Sequence, residues 1–111
     1  MTLEQFYTML TTIELSQGVS IPVAYYAFPE GEAPPLPFLV YFEMNTDNFA
    51  ADGIAYHEIK RMAVELYIKK RDLNLEKKIE KTFTDNGIFW NKEFTYLDTE
   101  KCYEIIYEME I

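Results

Sequence analysis

Cysteine, histidine and glycine are scarce in this chain of 111 residues. The single cysteine, Cys102, excludes an intramolecular disulfide and a cysteine-based metal cluster, and we expect it to pack as a small apolar residue. The only histidine, His57, leaves a histidine-based metal site dependent on carboxylates, and we interpret it as an ordinary strand-edge residue. The four glycines are widely spaced and lack the lysine and strand-helix setting of a phosphate loop. We therefore predict no cofactor and no metal site.

Long apolar runs are also missing, so no segment is long enough to span a bilayer. The chain starts with a polar helix signal from Thr2 to Gln5, not with a basic region followed by an apolar one. We expect a soluble protein without a secretion signal. Hydrophobic residues make up 49% of the chain and aromatic residues 16%, which is enough for one core, so we predict a single domain over residues 1–111.

Basic residues are few, and the formal net charge is -9, which argues against nucleic-acid binding as the main activity. The charge is unevenly spread. Residues 57–81 hold eight basic and five acidic residues, a balance of +3, and the remainder holds two basic and fourteen acidic residues, a balance of -12. This pattern is either ordinary solvated surface or a positive side that meets the negative side of a neighbouring molecule.

Residues 56–72 carry the strongest strand signal, and we predict that they form the central strand of a sheet. Apolar residues alternate from Met62 to Ile68, whereas Ala63, Glu65 and Tyr67 point the other way. A helix pattern follows at once, capped by Asp72 or Asn74 and ended by Asn86-Gly87. Its outer face, with Glu76, Lys77, Lys78, Glu80 and Lys81, is typical of a solvated surface.

The remaining elements complete an α+β fold. We predict an amphipathic helix over residues 2–15 and further strands over residues 23–28, 38–44 and 88–97 and from about residue 102 to the end. In the last strand Tyr103, Ile105, Tyr107, Met109 and Ile111 share one face. The order is helix, three strands, helix, two strands. It predicts a mostly antiparallel five-stranded sheet with two helices packed on one face.

Two connecting segments are candidates for partner contact. Residues 29–37 contain four of the five prolines and form a stiff extended loop, which is either a rigid crossover between strands or a contact surface that includes Glu30, Pro34 and Pro35. Residues 45–53 are rich in turn formers and longer than a tight hairpin needs. Phe49, next to Asn48, is either folded back on the core or held out for another chain.

No catalytic constellation stands out. Carboxylate pairs occur along the last strand among Glu104, Glu108 and Glu110, but a chain with nineteen acidic residues contains such pairs by composition alone. A Glu-x-Lys pattern like that of metal-dependent nucleases occurs at residues 58–60 and again at residues 76–78. A motif that appears twice in so charged a chain carries little information, so we predict that the protein is not an enzyme.

Several strings, spread over nearly the whole chain, together resemble one family. They are PVAY at 22–25, FPEGEAPPLP at 28–37, NFAAD at 48–52, VELY at 64–67, KKRD at 69–72, and the stretch from Thr95-Tyr96 through Glu100-Lys101 to Tyr103. They resemble the tail completion, or tail terminator, proteins of long-tailed bacteriophages and prophages. The resemblance implies a small α+β protein that forms a ring, usually of six subunits, on the end of the tail tube.

The resemblance also implies partners and a location. The ring would contact the tail tube protein and a head-side connector, DNA would pass through it without specific binding, and no membrane would be involved. The protein would lie at the head-proximal end of the tail in the virion, and in the host cytoplasm during assembly. Two alternatives remain, namely another head-tail connector protein of the same assembly and an unrelated small protein-binding module.

A closed ring uses contacts in which one patch of each subunit meets a different patch of the next. Our hypothesis is that Lys69, Lys70 and Arg71 face acidic residues of the adjacent subunit, namely Glu104 or Glu108. The 29–37 segment and the Asn48-Phe49 segment are the candidates for reaching the tube protein or the connector.

Overall fold

The computed structural model describes the backbone of residues 1–51 and 54–111 and the side chains of residues 1–45 and 59–111. The described elements are, in chain order, α1 (Leu3–Thr11), β1 (Glu14–Ser16), β2 (Val19–Ser20), β3 (Val23–Tyr25), β4 (Phe38–Ala51), β5 (Ile54–Ile68), α2 (Leu73–Asp85), β6 (Trp90–Leu97) and β7 (Cys102–Glu110). The α+β class, the five-stranded sheet and its two helices are confirmed. The small β1–β2 hairpin is an addition to the predicted order.

The main sheet has the strand order β3-β4-β5-β7-β6, with β5 at its centre as predicted. Every neighbouring pair is antiparallel except β3 and β4, which run parallel, so the sheet is mixed. Its two edges are the short β3 and the eight-residue β6. Because the last strand β7 pairs with β5 on one side and β6 on the other, it lies inside the sheet.

Both helices pack on one face of this sheet, which we call the covered face. Phe6 and Leu10 of α1 and Ile79 and Phe83 of α2 share one buried cluster with side chains of the sheet. The sheet residues of that cluster include Leu39, Tyr41, Met62, Val64, Leu66, Ile105, Tyr107 and Met109. Since side chains alternate along a strand, the residues between them lie on the opposite face. Within the described residues, neither helix has the length and apolar character that a bilayer crossing requires.

The first helix is shorter than predicted. The capping box between Thr2 and Gln5 is present, but α1 ends at Thr11 instead of continuing to residue 15. Residues 11–13 are consecutive β-branched residues, which lower helix propensity, and the hydroxyl of Thr12 donates back to the carbonyl of Met9. Ile13 is still buried, so the apolar spacing was real although the backbone is no longer helical there.

The strand predicted over residues 23–28 stops at Tyr25. Tyr26 has a positive φ of 69°, which a β-strand cannot contain, and its N–H donates to the carbonyl of Tyr41. Residues 26–37 then connect two parallel neighbouring strands, which always requires a crossover. The proline-rich segment is therefore the rigid crossover that we weighed as one alternative.

The loop predicted over residues 45–53 is wrong for most of its length. Strand β4 continues to Ala51 and pairs with β5 through the register Asn48 with Glu58 and Phe49 with His57, with a bulge between Glu43 and Asn45. Pairing with a long neighbour overrides the low strand propensity of the turn-forming residues. Asn48 and Phe49 thus lie in a strand, and their side chains, like that of His57, fall outside the described residues.

The C-terminal stop of α2 is confirmed. Gly87 has a φ of 73°, and the N–H of Ile88 donates to the carbonyl of Phe83 at 2.9 Å, which closes the end of the helix. Phe83 is fully buried, and its ring meets the ring of Tyr107 edge-on at a centroid distance of 5.5 Å. The last turn of α2 therefore packs on β7 through Phe83 and Tyr107.

We expect Phe83→Ala to lower the free energy of unfolding by about 3–5 kcal/mol, because it opens a cavity between α2 and the sheet. Phe89→Ala is the matched control, since the Phe89 side chain is 83% exposed. It is expected to change stability by no more than about 0.5 kcal/mol. Urea unfolding followed by circular dichroism measures both values, and equal losses would contradict this account of the core.

Candidate interaction surfaces

The outer side of α2 and the end of β5 form a basic surface, which we define by Lys69, Lys70, Lys77 and Lys78. All four side chains are exposed. The ammonium group of Lys78 reaches the carbonyl of Glu14 at 3.4 Å, which ties the β1–β2 hairpin to α2. Lys77 and Lys78 lie on the outer side of α2, because the side of the helix that carries Leu75, Ile79 and Phe83 is buried. Lys69 and Lys70 follow the end of β5.

Arg71 is half-buried and bonds within its own chain, and its assignment to the predicted subunit interface stays a prediction. Its guanidinium group makes two bonds to the Glu76 carboxylate of its own chain, 2.7 Å and 3.2 Å long. The same group stacks on the ring of Phe94 at 4.1 Å from the ring centroid. The pair with Glu76 uses two of the five N–H donors of the guanidinium group and orients the side chain toward α2.

Glu76 contradicts the prediction that it lies on the solvated face of α2, because only 1% of its surface is exposed. Its carboxylate also lies 2.9 Å from the ammonium group of Lys92, which in turn lies 2.7 Å from the carboxylate of Glu80. The hydroxyl of Tyr107 donates to Glu80 at 2.7 Å. Together with Arg71 these four residues form an ion cluster that joins the β5–α2 connection, α2, β6 and β7.

The ion cluster keeps its charges despite burial. Burial works to raise the pKa of Glu76, but hydrogen bonds from Arg71 and Lys92 outweigh it and hold that pKa below its ordinary value. Burial likewise works to lower the pKa of Lys92, and the carboxylates of Glu80 and Glu76 raise it instead. A depressed carboxyl pKa stabilises the fold above the ordinary value of 4.5 and ceases to do so as the pH falls through the folded-state pKa.

We expect Glu76→Ala to lower the free energy of unfolding at pH 7 by about 3 kcal/mol, because Arg71 and Lys92 lose their common buried anion. Glu93→Ala removes an exposed carboxylate from β6 and serves as the control, with an expected change within about 0.5 kcal/mol. The two unfolding free energies come from urea titrations. If Glu76→Ala were as stable as the control, the ion cluster would have no structural role.

The face of the sheet opposite the helices is acidic, and within the described residues no helix packs on it. We call it the uncovered face. By strand register it carries Glu65, Glu104 and Glu108, together with Glu93 on β6 and Glu110. Of the two acidic residues predicted at the interface, Glu108 is exposed and Glu104 is half-buried. The structure thus places Glu104 and Glu108 on the uncovered face, whereas Lys77 and Lys78 lie on the outer side of α2.

Glu65 and Glu104 form a carboxyl pair around the hydroxyl of Tyr67. That hydroxyl lies 2.6 Å from Glu104 and 3.2 Å from Glu65. Burial, the charge of Glu104 and a hydrogen bond with Glu104 together raise the pKa of Glu65 to about 7, against the lowering effect of the hydrogen bond from Tyr67. Burial and the same carboxyl groups also raise the pKa of Tyr67, so its hydroxyl remains a donor.

The carboxyl pair predicts a stability change with a defined sign. A folded-state pKa of about 7 for Glu65, above the ordinary 4.5, means that the fold binds the proton more tightly than the unfolded chain does. This contribution stabilises the fold below about pH 4.5 and is lost as the pH rises to about 7. We therefore expect the stability of Glu65→Gln relative to the unaltered protein to increase between pH 5 and pH 8. Urea unfolding midpoints at each pH measure this difference in stability. Glu93→Gln is the control. If the stability of both variants changed with pH in the same way, this prediction would be contradicted.

An apolar groove lies between the crossover segment and the uncovered face. Its volume is about 360 Å³. It is lined by Tyr26, Ala27, Phe28, Ala33, Leu36, Phe38, Val40, Tyr67, Glu100 and Cys102. The ring of Phe28 packs edge-on against Phe38 at 4.9 Å, and Phe38 packs on Tyr67 at 5.4 Å. Phe28 therefore holds the start of the crossover against the sheet, and the groove lies along the side of the crossover.

The predicted contact residues of the crossover, Glu30, Pro34 and Pro35, are not among the residues that line this groove. Glu30 and Pro35 are exposed and Pro34 is half-buried, so the segment presents side chains to solvent.

Cys102 is buried as predicted. Burial, with the charges of Glu100 and Glu104, raises the pKa of its thiol, which makes it a poor nucleophile. In the part of the chain that the structure describes, no three acidic, cysteine or histidine side chains come together as metal ligands.

Comparison with known proteins supplies no relative, since no family model and no curated protein matches this chain. The surfaces therefore have to be interpreted from their own chemistry. Sequence reasoning missed the ion cluster and the groove. The one sequence signal for the groove was the run of aromatic residues within residues 25–28, next to a proline-rich stretch. Nothing in the spacing of Arg71, Glu76 and Lys92 shows that they meet.

Proposed function

We propose that this chain is a structural protein of phage virion assembly, which caps the tail tube as a ring and forms the surface for head-tail joining. The location that follows is the head-proximal end of the tail, after assembly in the host cytoplasm. The proposal includes the tail tube protein and a head-side connector as partners. It assigns no catalytic step to any residue.

The observation that carries the proposal is the separation of charge between the basic surface and the uncovered face. The basic surface consists of Lys69 and Lys70 after β5 and of Lys77 and Lys78 on the outer side of α2, and Lys81 is already paired with Asp85. The uncovered face carries Glu65, Glu93, Glu104, Glu108 and Glu110, with Arg61 as the basic residue near its end. Such a domain attracts another copy of itself head to tail.

Contacts of this kind are heterologous, because the patch that one copy offers differs from the patch that the next copy accepts. When the rotation between copies closes, heterologous contacts form a ring. Six-fold closure comes from the resemblance to the tail completion family. An acidic lumen surface would also repel passing DNA instead of retaining it.

Two alternative functions remain. Another head-tail connector of the same assembly would use the same surfaces, and a knockout phage separates the two, because only the loss of a terminator leaves tails with irregular ends. An unrelated protein-binding module is favoured by one observation, the apolar groove on the uncovered face. Such a module would bind its partner as a monomer and would ignore tail tubes.

The test is co-assembly with purified tail tubes, followed by sedimentation and electron microscopy. We expect the unaltered protein to cap tube ends and Lys69→Glu with Lys70→Glu to lose capping by at least about tenfold, because two attractive contacts per interface become repulsive. Raising the salt concentration should weaken capping of the unaltered protein in the same direction.

Lys101→Glu is the control, because Lys101 is exposed in the β6–β7 turn and outside the basic surface. It should cap tubes normally. Adding Glu108→Lys to the double variant should restore part of the capping. Arg71 is left unchanged in these variants, since reversing it would break the ion cluster. Failure of the unaltered protein to associate with tubes would overturn the proposed function.

A further inference from the structure

The groove beside the crossover has the shape of a site for an extended chain. Its floor is the edge of the uncovered face, formed by Phe38 and Val40 of β4 and by Tyr67 of β5. Its wall is the crossover itself, through Tyr26 and Leu36. Extended peptides commonly dock in aromatic-lined grooves of this size, with one or two side chains inserted.

The rim of the groove carries a strained residue. Tyr26 has a φ of 69°, a left-handed conformation that is unfavourable for a residue other than glycine. Its side chain is nevertheless 73% exposed, with its ring edge-on to Phe42 at 5.8 Å. Strained backbone conformations cluster at functional sites, and this one places an aromatic ring at the mouth of the groove.

Unbalanced negative charge lies beside the groove at Tyr67. Glu65 and Glu104 share the hydroxyl of Tyr67, which lines the groove together with Glu100. Among the described residues, no lysine or arginine forms an ion pair with Glu65 or Glu104, although the carboxyl groups repel each other. On the neighbouring strands, β4 contributes only Phe38, Val40 and Phe42, and β6 contributes the more distant Glu93. A cation placed here would remove the repulsion.

We propose that this groove binds an extended segment of a partner protein in which a lysine or arginine stands next to apolar side chains. The apolar side chains occupy the space between Leu36 and Phe38. The cationic group reaches the carboxyl pair, and its aliphatic stem lies along the ring of Tyr67. This inference concerns a partner peptide and holds whether or not the protein caps tail tubes.

The probe is the capped pentapeptide Gly-Leu-Lys-Phe-Gly, titrated into the ¹⁵N-labelled full chain and followed by NMR. We expect amide shifts at Phe38, Val40, Tyr67 and Glu104. A second peptide, in which norleucine replaces lysine, should bind at least about tenfold more weakly, because it cannot make the charged hydrogen bond. A third, Gly-Gly-Lys-Gly-Gly, lacks the apolar side chains and should give no shifts in the groove.

Glu65→Gln with Glu104→Gln should abolish the preference for lysine over norleucine. Glu93→Gln with Glu110→Gln is the matched control, since it removes the same number of charges from the same face and should retain the preference. The unaltered protein offers an independent measurement, because lysine binding displaces the proton of Glu65 and should tighten about tenfold from pH 6 to pH 8.

Four results would overturn the inference. They are equal affinities for the lysine and norleucine peptides, shifts confined to another surface, lysine binding that is the same at pH 6 and pH 8, and the absence of binding at millimolar peptide. Because no tail tube takes part in these titrations, a negative result leaves the proposed ring untouched, and failed capping leaves the groove untouched.

Discussion

The alternation of side chains along β5 is the constraint on which the rest of the structure depends. Met62, Val64 and Leu66 enter the core beneath the helices, so Glu65 and Tyr67 must lie on the other face. A slip of one residue would exchange the two sets and bury a carboxylate among leucines. The same alternation that builds the core therefore also builds the acidic face, and structure and candidate function are specified by one strand.

The ion cluster determines how α2 is placed on the sheet. A helix with an apolar stripe can slide or rotate over a sheet at little cost, because apolar contacts are not directional. Glu76 and Glu80 remove that freedom, since both must reach Lys92 of β6, and Glu76 must also reach Arg71 at the start of the helix. Charged hydrogen bonds are directional, and a buried carboxylate without its cations is costly. The cluster thus favours one placement of α2 over all others.

The position of α2 in turn decides where the positive charge of the domain lies. Its outer lysines face away from the sheet, while the opposite side keeps its carboxylates uncovered. The proposed self-assembly and the proposed peptide groove both use the uncovered face, which carries Glu65 and Glu104. The first uses the long-range attraction between two outer surfaces, and the second uses a local carboxyl pair beside apolar side chains.

By itself, the sequence determined the α+β class, the central position of β5 and the faces of β7, because hydrophobic period and turn residues are local signals. It also indicated that the acidic and basic residues form separate groups. The parallel β3–β4 pair, the extension of β4 through Asn48 and Phe49, and the partners of Arg71 were decided only in the tertiary structure. Each depends on residues far apart in the chain, whose burial and pairing no local pattern encodes. The carboxyl pair is the clearest case, since Glu65 and Glu104 become a site only when β5 and β7 lie side by side.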